Sequence, residues 1–455
     1  MVHERRDTLG HTATPPVTPC YNSAFQQLAA YREGLGRVLS RAVGLVLAVP
    51  LILALTACGG GNGTTTVVTP NGNTISNPSG TLKNRAYISN QYSGNLQIVD
   101  SANDSTAFYS SSYTNTNTTN QIADLSVHIT VGTSATFLKV SPNAVSTAVY
   151  DPSDDVMHFV ANSTQMDEAQ VPLPAWAAMA LYSTDSSKLY VPTGNAVVSG
   201  NGPGAIQVID IANADIPAAY NVPSVRWIAL SPNGNTMLAF ADNSDSMWFI
   251  DLTQTTITPV AIPGFARPVN AFFSSDSNTA YVLNCGPQCG TNSPPSVAQF
   301  DIPSKTIKTS VVVGGASVGL LSGNNLYVAG YPGGANGTFD VVDVSSMTRT
   351  TATSVLINDG QQWKMALSNN MLYIGASTCS NTSIGCLSIV NLNGNTAVAP
   401  GPPLGAVTGL LSVPNRNVIY VIQGGVLNIY NTQTNQQMPS LQFRGALNDV
   451  VQVDQ

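Results

Sequence analysis

The sequence predicts an all-β protein, a β-propeller of eight four-stranded blades, with seven blades as the alternative count. Three observations carry that prediction. Only 9% of the 455 residues are charged, while 43% are hydrophobic and Gly (38) and Pro (28) are abundant. Exposed helix faces are usually written in Lys, Glu and Arg, so this polar surface has to come from Asn, Ser, Thr and Gly, the residues of turns and strand edges. A turn signal also recurs in steps of about 42 to 48 residues, and a short apolar strand ending on Asp or Asn follows each copy. Charge adds an exclusion: Lys+Arg 17 against Asp+Glu 24 rules out a strongly basic nucleic-acid binder.

In chain order, the first element is an apolar run from Ala42 to Ala57, preceded by Arg32, Arg37 and Arg41 and interrupted by Pro50. It is short for a membrane span, which needs roughly 20 residues; a basic flank and small residues at its end suit a secretory signal. The run closes on Leu55-Thr56-Ala57-Cys58, which resembles a bacterial lipoprotein lipobox. That resemblance implies cleavage before Cys58 and acylation of Cys58, with two or more chains giving a stable membrane anchor. Gly59, where an inner-membrane lipoprotein more often has Asp, points to the outer membrane. Residues 1–31 lack a signal-like pattern, so translation is expected to start downstream, near Val38. Residues 1–57 are thus read as a signal with a misplaced start. Residues 58–81, rich in Gly, Thr and Asn, form a flexible tether, and residues 82–455 the propeller.

Within the propeller the turn signal is seen at Val140-Ser141-Pro142-Asn143, Tyr182-Ser183-Thr184-Asp185 and Leu230-Ser231-Pro232-Asn233. It returns at Phe273-Ser274-Ser275-Asp276, Leu321-Ser322-Gly323-Asn324, Leu367-Ser368-Asn369-Asn370 and Leu411-Ser412-Val413-Pro414-Asn415. Next comes an anchor strand such as Ala280-Tyr281-Val282 or Leu372-Tyr373-Ile374, then a third strand such as Gln207-Val208-Ile209-Asp210. Four short strands in each unit of about 45 residues describe a propeller blade. The terminal Asp or Asn is read as an Asx turn into the fourth strand. One more pair, Ala86-Tyr87-Ile88 and Gln97-Ile98-Val99-Asp100, has no first strand before it. Leu447–Val453 alternates with nothing after it. Pairing the two closes an eighth blade and removes an exposed sheet edge. The unit at residues 136–165 is the most degenerate and the place where an insertion could imitate a blade.

The motifs Ala-x-Tyr-Val-x-Asn and Ile-Gln-Val-Ile-Asp resemble the YVTN-type bacterial β-propellers, related to YncE-like and lactonase-like groups. The resemblance spans nearly all of residues 82–455. It implies a fold far more than an activity, because such members share blade-building residues rather than one active site.

Of six cysteines, Cys20 precedes the cleavage site and Cys58 takes lipid. Proximity pairs Cys285 with Cys289 and Cys379 with Cys386, each within one Gly/Pro-rich loop, as loop-closing disulfides of an oxidising compartment. A zinc site is the poorer alternative, for want of His or a tight Cys-x-x-Cys knuckle.

The long loops Gly194–Ala205, Asn284–Ser296, Gly330–Gly337 and Ala376–Cys386 join second to third strands and open on one face; Ser110–Thr133 is read as an insertion after the first blade. Decorated loops on a rigid scaffold suit a binding surface. Residues just before the innermost strands should ring the channel mouth: Trp176, Arg226, Trp227, Arg267, Asn270, Trp363, Lys364 and Asp449. Aromatics beside Arg and Lys suit an anionic or sugar-like ligand; the alternative is inter-blade packing with solvated cations.

Catalytic templates fit poorly. Gly315-Ala316-Ser317-Val318-Gly319 matches a nucleophile elbow, yet no His follows it and no helix is expected. After cleavage the remaining histidines are His128 and His158 and the one remaining glutamate is Glu168, too few for a His-rich metal centre. Residues 151–155 and 242–245 lack the bidentate acid of a Ca²⁺ loop. The expectation is therefore a lipid-anchored, monomeric, cofactor-free module of the cell envelope that binds a protein, peptide or glycan without catalysis. The alternative is an exported lactonase-like or other hydrolase working at the channel mouth.

Overall fold

The computed structural model describes residues 84–106, 128–194, 204–332, 336–358, 360–379, 384–398 and 404–454, together with a two-stranded ribbon, Val67–Val68 against Thr74–Ile75. Cys58 and the signal lie outside the described residues. Eight antiparallel sheets follow one another around a ring, and each is a blade. Blade 2 comprises Leu138–Val140, Ser146–Asp151, Val156–Ala161 and Met166–Pro172; blade 3 has Leu181–Tyr182, Lys188–Gly194, Gly204–Asp210 and Asp215–Asn221. Blade 4 runs from Val225–Leu230 to Val260–Pro263, and blade 5 from Pro268–Phe273 to Thr306–Val312. Blade 6 runs from Val318–Ser322 to Val355–Ile357, blade 7 from Gln362–Ser368 to Thr396–Val398, and blade 8 from Val407–Ser412 to Gln436–Met438. The unit at residues 136–165 is no insertion: it builds a complete blade 2, so the count is eight.

Blade 1 closes the ring. Its inner strand, Leu447–Gln452, pairs with Arg85–Asn90 (Tyr87↔Val451, Ile88↔Val450), which in turn pairs with Asn95–Asp100. A correction concerns the insertion expected after this blade: Ser105–Thr106 and His128–Thr130 both pair with Asn95–Asp100, so the chain between them interrupts the blade's outer strand.

Each sequence device has a structural reason. In the first turn of a blade the Ser hydroxyl donates to the Asx side chain and accepts the N–H beyond it. Ser231 Oγ donates to Asn233 Oδ1 at 2.7 Å and accepts from Thr236 N at 2.9 Å. The set Ser141, Asn143 and Ser146 repeats this. The Asp or Asn closing each third strand caps the next turn, as in Thr253 N to Asp251 Oδ1 at 3.0 Å and Asn393 N to Asn391 Oδ1 at 3.0 Å. The anchor tyrosines Tyr87, Tyr373 and Tyr420 are essentially fully buried, and so is Tyr150, two residues beyond the anchor position of blade 2.

The core is divided into eight clusters, each shared by two adjacent blades. One joins Tyr87 and Ile98 of blade 1 to Val149 and Val160 of blade 2, and another joins Tyr420 and Leu427 of blade 8 to Ile88 and Val450 of blade 1. Alternating side chains point to opposite faces of a blade, so every blade contributes to two cores and no blade is buried without its neighbours.

Candidate binding site at the channel mouth

Inner strands start on the face that carries the loops between second and third strands. Each inter-blade segment is hydrogen-bonded to such a loop there: Gly194 N to Trp176 O at 3.2 Å, Cys285 N to Arg267 O at 3.0 Å, Ser377 N to Gln361 O at 2.9 Å. The register slips by one residue near the start of several inner strands, between Val225 and Trp227, Pro268 and Asn270, and Gln362 and Lys364. A bulge of this kind re-aims a side chain at the rim of a sheet.

Trp176, Trp227 and Trp363, three of the four tryptophans, converge on one cavity of about 80 Å³ that Arg226 and Asp242 also line. Trp227 and Trp363 border a bore of about 690 Å³ as well, and Trp176 and Trp363 a further cavity of about 220 Å³. Trp363 Nε1 donates to Val407 O at 2.7 Å, yet the residue remains 36% exposed. Arg226 lies 5.0 Å above the Trp176 ring and donates from Nε to Asp242 Oδ2 at 2.5 Å. Burial raises the Asp242 carboxyl above its ordinary range, and the Arg226 charge opposes that rise.

Seven of the eight expected mouth residues line these cavities, and most of them sit inside the inner strands rather than before them. Arg267 departs from the expectation. It lines none of the three cavities; its backbone is left-handed (φ 57) and its Nε stands 3.7 Å from Asp245 Oδ1. Asn270 lines the bore, with its Oδ1 accepting from Ala271 N at 2.8 Å. Asp449 is nearly buried: it accepts from Leu138 N at 3.1 Å and Val450 N at 3.0 Å, with Lys364 Nζ at 3.7 Å.

Two residues of the site were not among those the sequence places at the mouth. Asp242 is the partner of Arg226. Lys139, on the inner strand of blade 2, is exposed toward the bore that it lines. Surrounding protein lowers its ammonium from the ordinary lysine value, the Asp449 charge opposes that, and the Lys364 charge adds to it. The usable signal was its repeat position. The residues paired with the anchors of the second strands are Leu181, Phe272, Leu320, Ala366, Leu411 and Val451, all apolar; in blade 2 the pair is Lys139 with Ala148.

Both expected disulfides are formed, Cys285–Cys289 and Cys379–Cys386. The first closes a 3₁₀ turn, Gly286–Cys289, whose buried Gln288 accepts from Tyr331 N at 2.7 Å and so braces the loop of the next blade. Ser317 Oγ donates to Gln362 O at 3.0 Å where the chain enters a strand, not a helix. His158 Nδ1 is 2.7 Å from Asp167 Oδ2 at the junction of blades 1 and 2, away from the bore. Residues 195–203, 333–335 and 380–383, parts of the long loops, lie outside the described residues.

No family model and no curated protein matches the chain. Solved structures do. The structure of dihydro-heme d1 dehydrogenase NirN in complex with DHE superposes with a TM-score of 0.60 at 10% identity, over 82% of this chain and 76% of that one. A functionally unknown protein from Desulfotomaculum acetoxidans DSM 771 gives 0.48 at 17% identity, over 70% and 95%. At such identities the likeness speaks to the fold. The chain has a β-propeller fold.

Proposed function

We propose that this propeller is a lipid-anchored envelope protein of the YVTN/YncE-like kind. It holds a protein, peptide or glycan partner at its channel mouth without catalysing a reaction. The observation that carries this reading is the convergence of Trp176, Trp227 and Trp363 on one cavity, with Trp363 partly exposed. Large aromatic side chains with a polar handle are the residues on which binding sites concentrate their energy. Among the described residues Asp449 is the one carboxylate that lines the bore, and it is engaged by two backbone N–H groups and Lys364, which favours a binding role over a hydrolase that needs a free carboxylate there.

Geometry also fits an anchor. Arg85 begins a second strand and Gln452 ends an inner one, so both ends of the domain leave on the face opposite the mouth. A tether from acylated Cys58 would present the mouth away from the membrane, the outer membrane in this reading. Two experiments test the proposal. Labelled palmitate should be incorporated by the wild type and not by Cys58→Ala. On glycan and peptide arrays, Trp363→Ala and Trp227→Ala should lose the partner that the wild type and Trp248→Ala retain. Retention by all three variants overturns the mouth as the binding site.

A further inference from the structure

We infer that the bore beneath the mouth is an anion site that takes a monocarboxylate with a flat, apolar body. This rests on the mouth being the binding site and names what enters it. Three charged residues line the bore among the described residues: Lys139, Lys364 and Asp449, two cations against one anion in a chain whose overall charge is −7. Asp449 is satisfied by Leu138 N, Val450 N and Lys364. Lys139 Nζ makes no hydrogen bond or ion pair among the described residues. The bore therefore keeps one uncompensated ammonium.

Its surroundings raise the consequence of that charge. The wall is largely apolar, including Met179, Leu181, Ile228, Phe272 and Met365. Low-dielectric walls focus the field of a charge they enclose and make its pairing with an opposite charge stronger than in water. Desolvation by the surrounding walls lowers the Lys139 ammonium, against the Asp449 charge, and an anion beside it would supply the countercharge the fold leaves out. The same wall argues against a sugar inside the bore. Asn270 has its carbonyl oxygen engaged by Ala271 N, and Ser317 donates its hydroxyl to Gln362 O, so few free polar groups remain for several hydroxyls. An aromatic body can lie against Trp227 and Trp363, and about 690 Å³ accommodates one or two fused rings.

The experiment compares two probes of one shape on the full-length protein by titration calorimetry: 2-naphthoate and the neutral 2-naphthamide. The wild type should favour the carboxylate by roughly 10- to 100-fold, the range of a hydrogen bond to a charged group. Lys139→Met should erase that preference and Lys139→Arg should keep it, with unfolding midpoints showing that both variants are folded. Equal binding of the two probes by the wild type, an undiminished preference in Lys139→Met, or no binding of naphthoate at millimolar concentration overturns the inference. If both probes bind equally and Trp363→Ala loses both, the mouth stands and its anion selectivity falls. If naphthoate binding ignores Trp363→Ala and Trp227→Ala alike, the mouth itself falls.

Discussion

Closure of the ring offers the sharpest test of the architecture. The Asp454 carboxylate accepts three donors from Arg85: the backbone N at 2.8 Å and Nε at 2.8 Å on Oδ2, and Nη2 at 2.7 Å on Oδ1. The remaining guanidinium nitrogen, Nη1, reaches Asn162 O of blade 2 at 2.6 Å. Arg85 thus ties its own strand both to Asp454, beyond the last strand, and to the next blade. Asp454→Ala removes all three acceptor contacts and leaves the Arg85 guanidinium with Asn162 O. A fully buried ion pair broken on one side costs about 3–5 kcal/mol. Here the side chains are 11% and 26% exposed, so water replaces part of the loss and about 2–4 kcal/mol is expected. Guanidinium unfolding of the wild type, Asp454→Ala, Arg85→Ala and the double variant gives the coupling energy, expected to exceed about 1 kcal/mol. Burial pushes the Asp454 carboxyl up, but the Arg85 hydrogen bonds and charge outweigh it, so its folded pKa lies below the ordinary carboxylate value. The sign follows: the contribution is complete above about pH 4 and is lost as pH falls through the folded pKa. The wild type and Asp454→Ala should therefore converge in the acid limb. An unchanged unfolding midpoint in Asp454→Ala, or a coupling energy near zero, would refute the clasp.

Three further outcomes are expected. Gly405→Ala should lower the melting temperature with a cost of at least about 1–3 kcal/mol, because Gly405 has φ 121 and an added Cβ would stand 2.4 Å from Gly424 Cα. Replacing Cys285 and Cys289 by Ser should cost about 2 kcal/mol from the short loop they close, and partner binding should weaken more than stability, since the Gln288–Tyr331 brace belongs to the loop face. Tyr420→Phe should cost about 1 kcal/mol in chemical unfolding, because its hydroxyl donates to Asp104 Oδ1 at 2.6 Å while Arg416 holds the same carboxylate from blade 8.

Most of the fold was legible in the sequence because a propeller writes its rules locally. A Ser hydroxyl capping a turn, a Tyr filling an inter-blade core and an Asx closing a third strand each act within about 10 residues, and each recurs. Blade 2 is the instructive case. Its anchor pair is Lys139 with Ala148, where other blades place an apolar residue against Tyr87, Tyr190, Tyr281, Tyr327, Tyr373 or Tyr420. A strand-by-strand reading counts that as degeneracy and doubts the blade. The ring gives it another meaning. The blade keeps its hydrogen-bonded sheet and its buried Tyr150, and its inner strand carries one charge to the bore.

The mouth was only partly legible for the same reason. Trp227, Asn270, Lys364 and Asp449 come from blades 4, 5, 7 and 1 and lie at equivalent places on inner strands, so comparison of repeats finds them. Nothing local to Asp242 announces that it will hold Arg226, a pairing made when the first two strands of blade 4 come together. Nor does anything near Asp449 show that backbone from blade 2 will cap it, a contact that exists only once blades 1 and 2 are set side by side. In a repeat ring the residue that breaks its column is therefore better evidence of a site than a match to a motif. By that measure Lys139 outranks Ser317, whose motif is intact and whose hydroxyl hydrogen-bonds to the backbone of the next blade.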